Sequence, residues 1–527
     1  MRNLIRKIAV TAACSICCSL FSSLAIAQNG FSFRELADAA SPYNNATVAP
    51  QMSCEDLLSI AIPELVENSV ELIPANGDVP AHCRMDGVLA PEIGFQINLP
   101  MRWNRRFYMH GNGGHAGERP DSPSRARTRN NALVHGFVTA STNTGHDAQT
   151  EPGASFAYNN DQKLIDYAYR AVDLTADTAK ALAAEFYDRS VSYSYWDGCS
   201  TGGRQGLMNA QRFPDNFDGI IAGAPVSDFS GTTAAGFWFV GTLREAQISD
   251  AQIQVLSETI YAQCDALDGA EDGLIEDPRQ CSVDFRASLP NCSGSTGDDN
   301  CFNETQLTAL EKVYGGMVSN GDVVYPGLPL GGEKNNGWLG MVSGEQRLPF
   351  AAAIAASSMQ YMVFEEDNPD YDWRSFDFDT DMSLLDGLGE LLDTRDPDLS
   401  AFKDRGGKLI MHHGWADNLL VPGMSTEYFD SVIATHGDET DEFARLYMVP
   451  GMGHCRGGFG ADRFDLLTPL INWVENGVAP GTLTADSANN PDLSRLLCPY
   501  PQAARYSGQG DVGSADSYVC VEPVELE

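Results

Sequence analysis

Apolar and polar positions sort the first half of this chain into short buried runs separated by turns. Residues 94–100 and 106–110 are apolar runs of strand length, and 136–142 is a third that ends in polar residues. From 161 to 187 the period changes: Leu164, Tyr167, Ala168, Ala171, Leu174, Ala179, Leu182 and Phe186 fall on one helical stripe. A β-forming run at 191–195 leads into a glycine-rich turn, 204–212 reads as a helix, and 217–225 supplies another buried strand. Strands alternating with helices in this way predict a parallel sheet with crossover connections, an α/β fold.

The texture changes between about 226 and 395. Asp and Gly become frequent, Cys264, Cys281, Cys292 and Cys301 fall here, and few runs are long enough to extend a sheet. Regular order returns at 407–414 and 445–449. The block therefore reads as a lid inserted over the C-terminal edge of the sheet, where α/β folds bind ligands. A separate tandem domain is the alternative; what disfavours it is that the chemistry-bearing residues straddle the block. The expected organisation is a core in two parts, 28–225 and 396–527, with the lid at 226–395.

Residues 1–27 carry Arg2, Arg6 and Lys7, an apolar run from Ile8, and Ala25 and Ala27 before Gln28, the pattern of an export signal. An uncleaved anchor is the alternative, and the small residues favour cleavage. No other stretch approaches spanning length, so a secreted or periplasmic chain without stable membrane association is expected. The formal charge of −38 across 527 residues argues against nucleic acid or an anionic membrane as partner and leaves a cationic, neutral or small aromatic partner open. Oligomeric state is not legible.

Within the turn after 191–195, Gly198-x-Ser200-x-Gly202 stands between a strand and a helix, the context a nucleophile elbow requires. Downstream, Asp417 follows the strand at 407–414, and His454 lies in a glycine-rich loop after 445–449. Ser200, Asp417 and His454 thus occur in the order of an α/β-hydrolase triad. A serine hydroxyl needs an imidazole to take its proton, and the imidazole needs a carboxylate to fix its tautomer and stabilise its charged form. His110 and His115 flank a glycine loop; His412 and His413, within a strand, read as structural. That loop, residues 111–114, follows a strand, so an N–H of Gly113 or Gly114 with that of Thr201 forms a candidate oxyanion hole.

Beyond residue 27 there are ten cysteines. In an exported chain these read as five disulfides, and nearness in sequence suggests Cys54 with Cys83, Cys264 with Cys281, Cys292 with Cys301 and Cys498 with Cys520. Cys199 and Cys455 are left over, one beside the candidate nucleophile and one beside the candidate base. A bond between them would tie the two loops together, although spacing alone does not establish connectivity.

The Cys199-Ser200 elbow, Asp417, the His454-Cys455 loop and the 111–114 glycine loop together resemble the tannase and feruloyl esterase family over roughly residues 54–520. The resemblance implies an α/β-hydrolase core with an inserted lid, a Cys199–Cys455 disulfide, and hydrolysis of esters of aromatic acids. It also implies a structural Ca²⁺ in the lid, held by the side chains of Asp265, Asp268 and Asp272 and the carbonyls of Ala270 and Leu274, in a loop stapled by Cys264 and Cys281. Hard oxygens in a glycine-bent loop suit that ion; a solvated acidic turn is the alternative. Substrates in the family include galloyl, feruloyl and related hydroxycinnamoyl esters and mono(2-hydroxyethyl) terephthalate. The terephthalate type is associated with a lid arginine, and residues 356–364 contain none. The lid aromatics Trp338, Tyr361, Phe364 and Trp373 are candidates to clamp a ring. Two rivals are a calcium-stabilised polyphenol or carbohydrate binding protein on a hydrolase scaffold, which the complete triad disfavours, and another serine hydrolase such as a peptidase.

Overall fold

The computed structural model describes residues 46–292, 300–334, 350–364 and 366–523. The export-signal residues 1–27 and Trp338 lie outside these ranges. In chain order the strands are β1 (Leu65–Ile73), β2 (His82–Leu89), β3 (Ile93–Pro100), β4 (Arg106–His110), β5 (Val138–Thr142), β6 (Tyr193–Cys199), β7 (Gly219–Gly223), β8 (Met317–Ser319) and β9 (Asp322–Tyr325). They continue with β10 (Lys408–Gly414), β11 (Ala444–Val449), β12 (Leu483–Asp486), β13 (Ser494–Leu497), β14 (Ala503–Tyr506) and β15 (Tyr518–Val521).

One nine-stranded sheet runs β1-β2-β3-β5-β4-β6-β7-β10-β11. The six strands from β5 to β11 are parallel, as expected. β1, β2 and β3 pair antiparallel, so the sheet is mixed rather than wholly parallel. β1 is half exposed along its length and lacks the continuous apolar run that marked the inner strands, which is why periodicity did not single it out.

Helices from the crossovers cover the sheet. The expected helix over 161–187 is present, with an insertion. α-Helical turns at Asp161–Ile165 and Ala171–Tyr187 flank a π-helical turn, Asp166–Arg170, whose Tyr167 and Ala168 carbonyls accept from the Arg204 guanidinium. The helix after β6, Thr201–Arg212, starts three residues earlier than its apolar pattern implied.

Between β7 and β10 no strand among the described residues joins the sheet. This segment holds the helices Phe229–Ala246, Asp250–Cys264, Glu304–Gly315 and Phe350–Ser358 and the β8–β9 hairpin. They bury their own core, including Phe237, Val240, Leu256, Leu310 and Met359, apart from the residues that pack the sheet. Entry and exit are laced together: Thr394 N–H donates to the Ser227 carbonyl at 2.7 Å, Asp393 accepts from Ser230, and Arg395 pairs with Asp228. After β11, the hairpins β12–β13 and β14–β15 pack outside the main sheet.

Candidate active site

The C-terminal ends of adjacent parallel strands bring the chemistry together. β4 runs into the glycine loop, β6 into Ser200, β10 into Asp417 and β11 into the His454 loop. Ser200 has φ 64° and ψ −125°, a conformation rare for a residue with a side chain, and its hydroxyl makes no capping hydrogen bond to the helix it precedes. The neighbouring glycines make this turn possible. A Cβ on Gly111 would stand 2.5 Å from the Cα of Gly202 and 3.1 Å from that of Gly198, so three backbones meet with no room for side chains.

The Asp417 carboxylate is fully buried and accepts four hydrogen bonds. Oδ1 takes the N–H groups of Leu419 and Leu420, at 2.9 and 3.0 Å. Oδ2 takes Nδ1 of His454 at 2.7 Å and Nε2 of His413 at 3.1 Å. Burial by itself raises the Asp417 carboxyl; the charge of His454 and the hydrogen bonds of His413 and His454 outweigh it and hold the group well below the usual carboxylate range. With Nδ1 so engaged, Nε2 of His454 is the ring nitrogen left to face the serine. Cys199 and Cys455 are bonded, with Cα atoms 6.0 Å apart, which sets Ser200 and His454 on one rim.

The oxyanion candidates lie against the elbow. Gly114 turns its carbonyl toward Thr201 Oγ1 at 2.5 Å and the Tyr167 hydroxyl at 3.0 Å, so the glycine loop is pinned to the elbow and to the π turn. The Gly113 carbonyl accepts from Ala116, while the N–H groups of Gly113 and Gly114 donate to no acceptor among the described residues. Thr201 heads its helix, where an N–H has no intrahelical acceptor. Next in the loop, His115 is buried against the lid, with Nε2 3.1 Å from Ser358 Oγ; burial pushes it down to about 4. His412, also within β10, packs on Phe464 and is lowered to about 3 by burial.

Sequence reasoning set His413 aside as structural and did not mark Tyr167. A signal for His413 was present, since it stands four residues before Asp417 where β10 turns into the acid loop. Among the candidate ring clamps, Trp373 stacks on Phe237 at 5.6 Å within the lid's own core. Tyr361 and Phe364 are half-buried and meet Tyr158 and Tyr371.

The remaining disulfides join Cys54 to Cys83, Cys264 to Cys281, Cys292 to Cys301 and Cys498 to Cys520. In the acidic loop after Cys264, Asp265 accepts the N–H groups of Asp272 and Gly273. Asp268 keeps a buried Oδ2 with no partner, and burial raises its carboxyl to about 6. Asp272 is drawn away by Arg495 of β13 and by the Tyr518 hydroxyl. The five predicted ligands Asp265, Asp268, Ala270, Asp272 and Leu274 thus share one loop, but the three carboxylates do not converge; among the described residues no three His, Cys, Asp or Glu side chains do so. The donors fit a hard cation in kind, and among the carboxylate oxygens the buried Asp268 Oδ2 has no partner.

An elbow serine, a histidine bonded to a buried aspartate and a lid over the strand ends define a serine hydrolase of the α/β type. Residues 77–521 match the family described as tannase and feruloyl esterase. Feruloyl esterase B of Aspergillus niger is 33% identical, with 80% of this chain and 82% of that protein covered. The mono(2-hydroxyethyl) terephthalate hydrolase of Piscinibacter sakaiensis is 32% identical over 84% and 85%. The crystal structure of feruloyl esterase B from Aspergillus oryzae superposes with TM-score 0.78 at 29% identity, covering 89% of this chain and 99% of that one. The chain belongs to the tannase and feruloyl esterase family and is a carboxylic ester hydrolase.

Proposed function

We propose that this is an exported serine esterase that cleaves carboxylic esters of hydroxycinnamic or gallic acids through an acyl-enzyme. The observation that carries the mechanism is the 2.7 Å bond from His454 Nδ1 to the buried Asp417, which leaves Nε2 for Ser200. As Ser200 Oγ attacks the ester carbonyl, His454 Nε2 takes its proton. The N–H of Thr201 and one from Gly113 or Gly114 receive the oxyanion, and the imidazolium then protonates the departing alkoxide. Water repeats the attack on the acyl-enzyme and returns Ser200. Asp417 holds the imidazole in one tautomer throughout.

The aromatic acyl group is supported by the relatives named as feruloyl esterases and by the half-buried lid rings Tyr361 and Phe364. A second reading, mono(2-hydroxyethyl) terephthalate, is favoured by the Piscinibacter relative and opposed by the absence of arginine from residues 356–364. Export is supported by the basic-apolar-small pattern of residues 1–27 and by the five disulfides. A structural Ca²⁺ in the lid loop is supported by the donor types there and the unpartnered Asp268 oxygen.

The test is initial rates on methyl ferulate, methyl p-coumarate, methyl gallate, chlorogenate and mono(2-hydroxyethyl) terephthalate, with Ser200→Ala as control. The highest kcat/KM on a ferulate, coumarate or gallate ester, abolished in Ser200→Ala, is expected. Preference for the terephthalate, or turnover that survives in Ser200→Ala, would overturn the reading.

A further inference from the structure

We propose that His413, held in one tautomer by Ser425, is a positioning residue for the acid of the triad and sets how strongly Asp417 acts on His454. The inference rests on the triad reading above and adds a fourth side chain to it.

Hydrogen placement follows from the partners. Nε2 of His413 faces the Leu420 carbonyl at 3.0 Å and Asp417 Oδ2 at 3.1 Å. Both are acceptors, so Nε2 carries the hydrogen. Nδ1 faces Ser425 Oγ at 2.8 Å, and this hydroxyl donates to it. All three side chains are fully buried, so no water competes for these bonds. Ser425 is on the helix after β10, Gly423–His436, and Leu420 is on the turn between. The acid loop is therefore closed onto the last residues of its own strand by one imidazole.

Two consequences follow for Asp417. Its Oδ2 is shared by two ring N–H donors, and the second donor fixes the carboxylate plane, so that His454 meets it in a single orientation. His413 also takes up part of the carboxylate charge. Each donor to a carboxylate lowers its proton affinity, which keeps the proton on His454 when the imidazolium forms. The titratable groups facing this pair are His454 across Oδ2, His412 beside His413 on β10, and Tyr325 from the β8–β9 hairpin. Among the described residues no lysine or arginine pairs with Asp417. The two imidazoles are thus its main electrostatic partners.

Removing the His413 N–H leaves more charge on Asp417 for His454 alone. The imidazolium is then held more tightly, and the acid limb of kcat/KM moves to higher pH. The carboxylate is also no longer fixed in one plane, so His454 meets Ser200 in more than one orientation; this lost positioning outweighs the tighter hold on the imidazolium and lowers kcat about ten- to a hundredfold, with KM within about twofold. Glutamine places an amide N–H where Nε2 lies, and so restores most of the loss.

The experiment measures kcat, KM and pH profiles on methyl ferulate for the wild type, His413→Leu, His413→Gln and Ser425→Ala, with melting temperatures alongside. In parallel, the rate at which a fluorophosphonate labels Ser200 is followed by mass spectrometry. Slow turnover and labelling in His413→Leu, a raised acid limb, and recovery in His413→Gln are expected. Ser425→Ala keeps the ring and removes only its tautomer lock; it shows the same displacement at a smaller cost in kcat, and it decides the question if His413→Leu does not fold. Wild-type rates and an unmoved acid limb in folded His413→Leu or Ser425→Ala would overturn the proposal, as would equal losses in folded leucine and glutamine variants. Failure of the wild type to label at Ser200 would instead overturn the triad reading.

Discussion

Cys199 and Cys455, 256 positions apart in the chain, are bonded with their Cα atoms 6.0 Å apart, so the residue before Ser200 is covalently held to the residue after His454. β7 and β10 lie between the strands that end in these two loops. Without the bond, their separation would depend on packing across two intervening loops. The double variant Cys199→Ser, Cys455→Ser is expected to melt lower, with a chain-entropy ceiling of roughly 5 kcal/mol for so long a loop. It should also lose kcat more than it gains KM. Calorimetry with steady-state kinetics on methyl ferulate checks both; an undiminished kcat would mean that packing alone holds the two loops in register.

Asp417→Asn keeps the shape and changes the donors. Oδ1 is claimed by two backbone N–H groups, so the new amide nitrogen faces Nδ1 of His454 and Nε2 of His413. Two donors then oppose each other, and His454 is driven to the tautomer whose Nε2 already carries hydrogen and accepts nothing from Ser200. A fall in kcat of about 10⁴ is expected, with the fold retained. Circular dichroism and single-turnover kinetics test this, and a loss below tenfold would contradict the role assigned to the carboxylate.

The same carboxylate gives stability a pH dependence whose sign is set. Its folded value lies below the ordinary one, near 3.9 in an unfolded chain. The stability it contributes is therefore complete above about pH 4 and is lost as pH falls from there toward the folded value. Urea midpoints between pH 6 and pH 3 should decline more steeply for the wild type than for Asp417→Asn. Parallel curves would show that other groups govern acid unfolding.

Gly111→Ala tests the contact between the glycine loop and the elbow. Its Cβ would press on Gly202 at 2.5 Å and on the Trp196 ring at 3.0 Å, and backbone on the elbow side cannot yield without moving Ser200. Overpacking of this kind costs about 1–3 kcal/mol, and here it also displaces the oxyanion donors. A folded, less stable protein with severely reduced kcat is expected. Activity equal to wild type would show that the loop can slide without consequence.

The acidic lid loop is tested by metal removal. Chelation with EGTA is expected to lower the melting temperature, and Ca²⁺, rather than Mg²⁺, to restore it. Asp268→Asn should abolish that response, because it replaces the unpartnered oxygen by an amide. Elemental analysis of the purified protein gives the stoichiometry. No calcium and no response to EGTA would leave the loop held by its own Asp265 hydrogen bonds, the Cys264–Cys281 bond, Arg495 and Tyr518.

Much of the site was legible along the chain because its requirements are local. A serine forced to positive φ needs small neighbours, and Gly198 and Gly202 stand beside it in the sequence. Asp417 and His454 each follow a recognisable apolar strand, β10 and β11. The order of strands in space was another matter. β1 is too exposed to announce itself by hydrophobicity, so the antiparallel edge emerged only with the sheet. Tertiary structure alone decided that His413 shares Asp417 with His454, that Thr201 and Tyr167 meet on the Gly114 carbonyl, and that Arg495 reaches the lid loop from the last part of the chain. Periodicity records which face a residue buries, whereas these hydrogen bonds depend on which other segment that face is packed against.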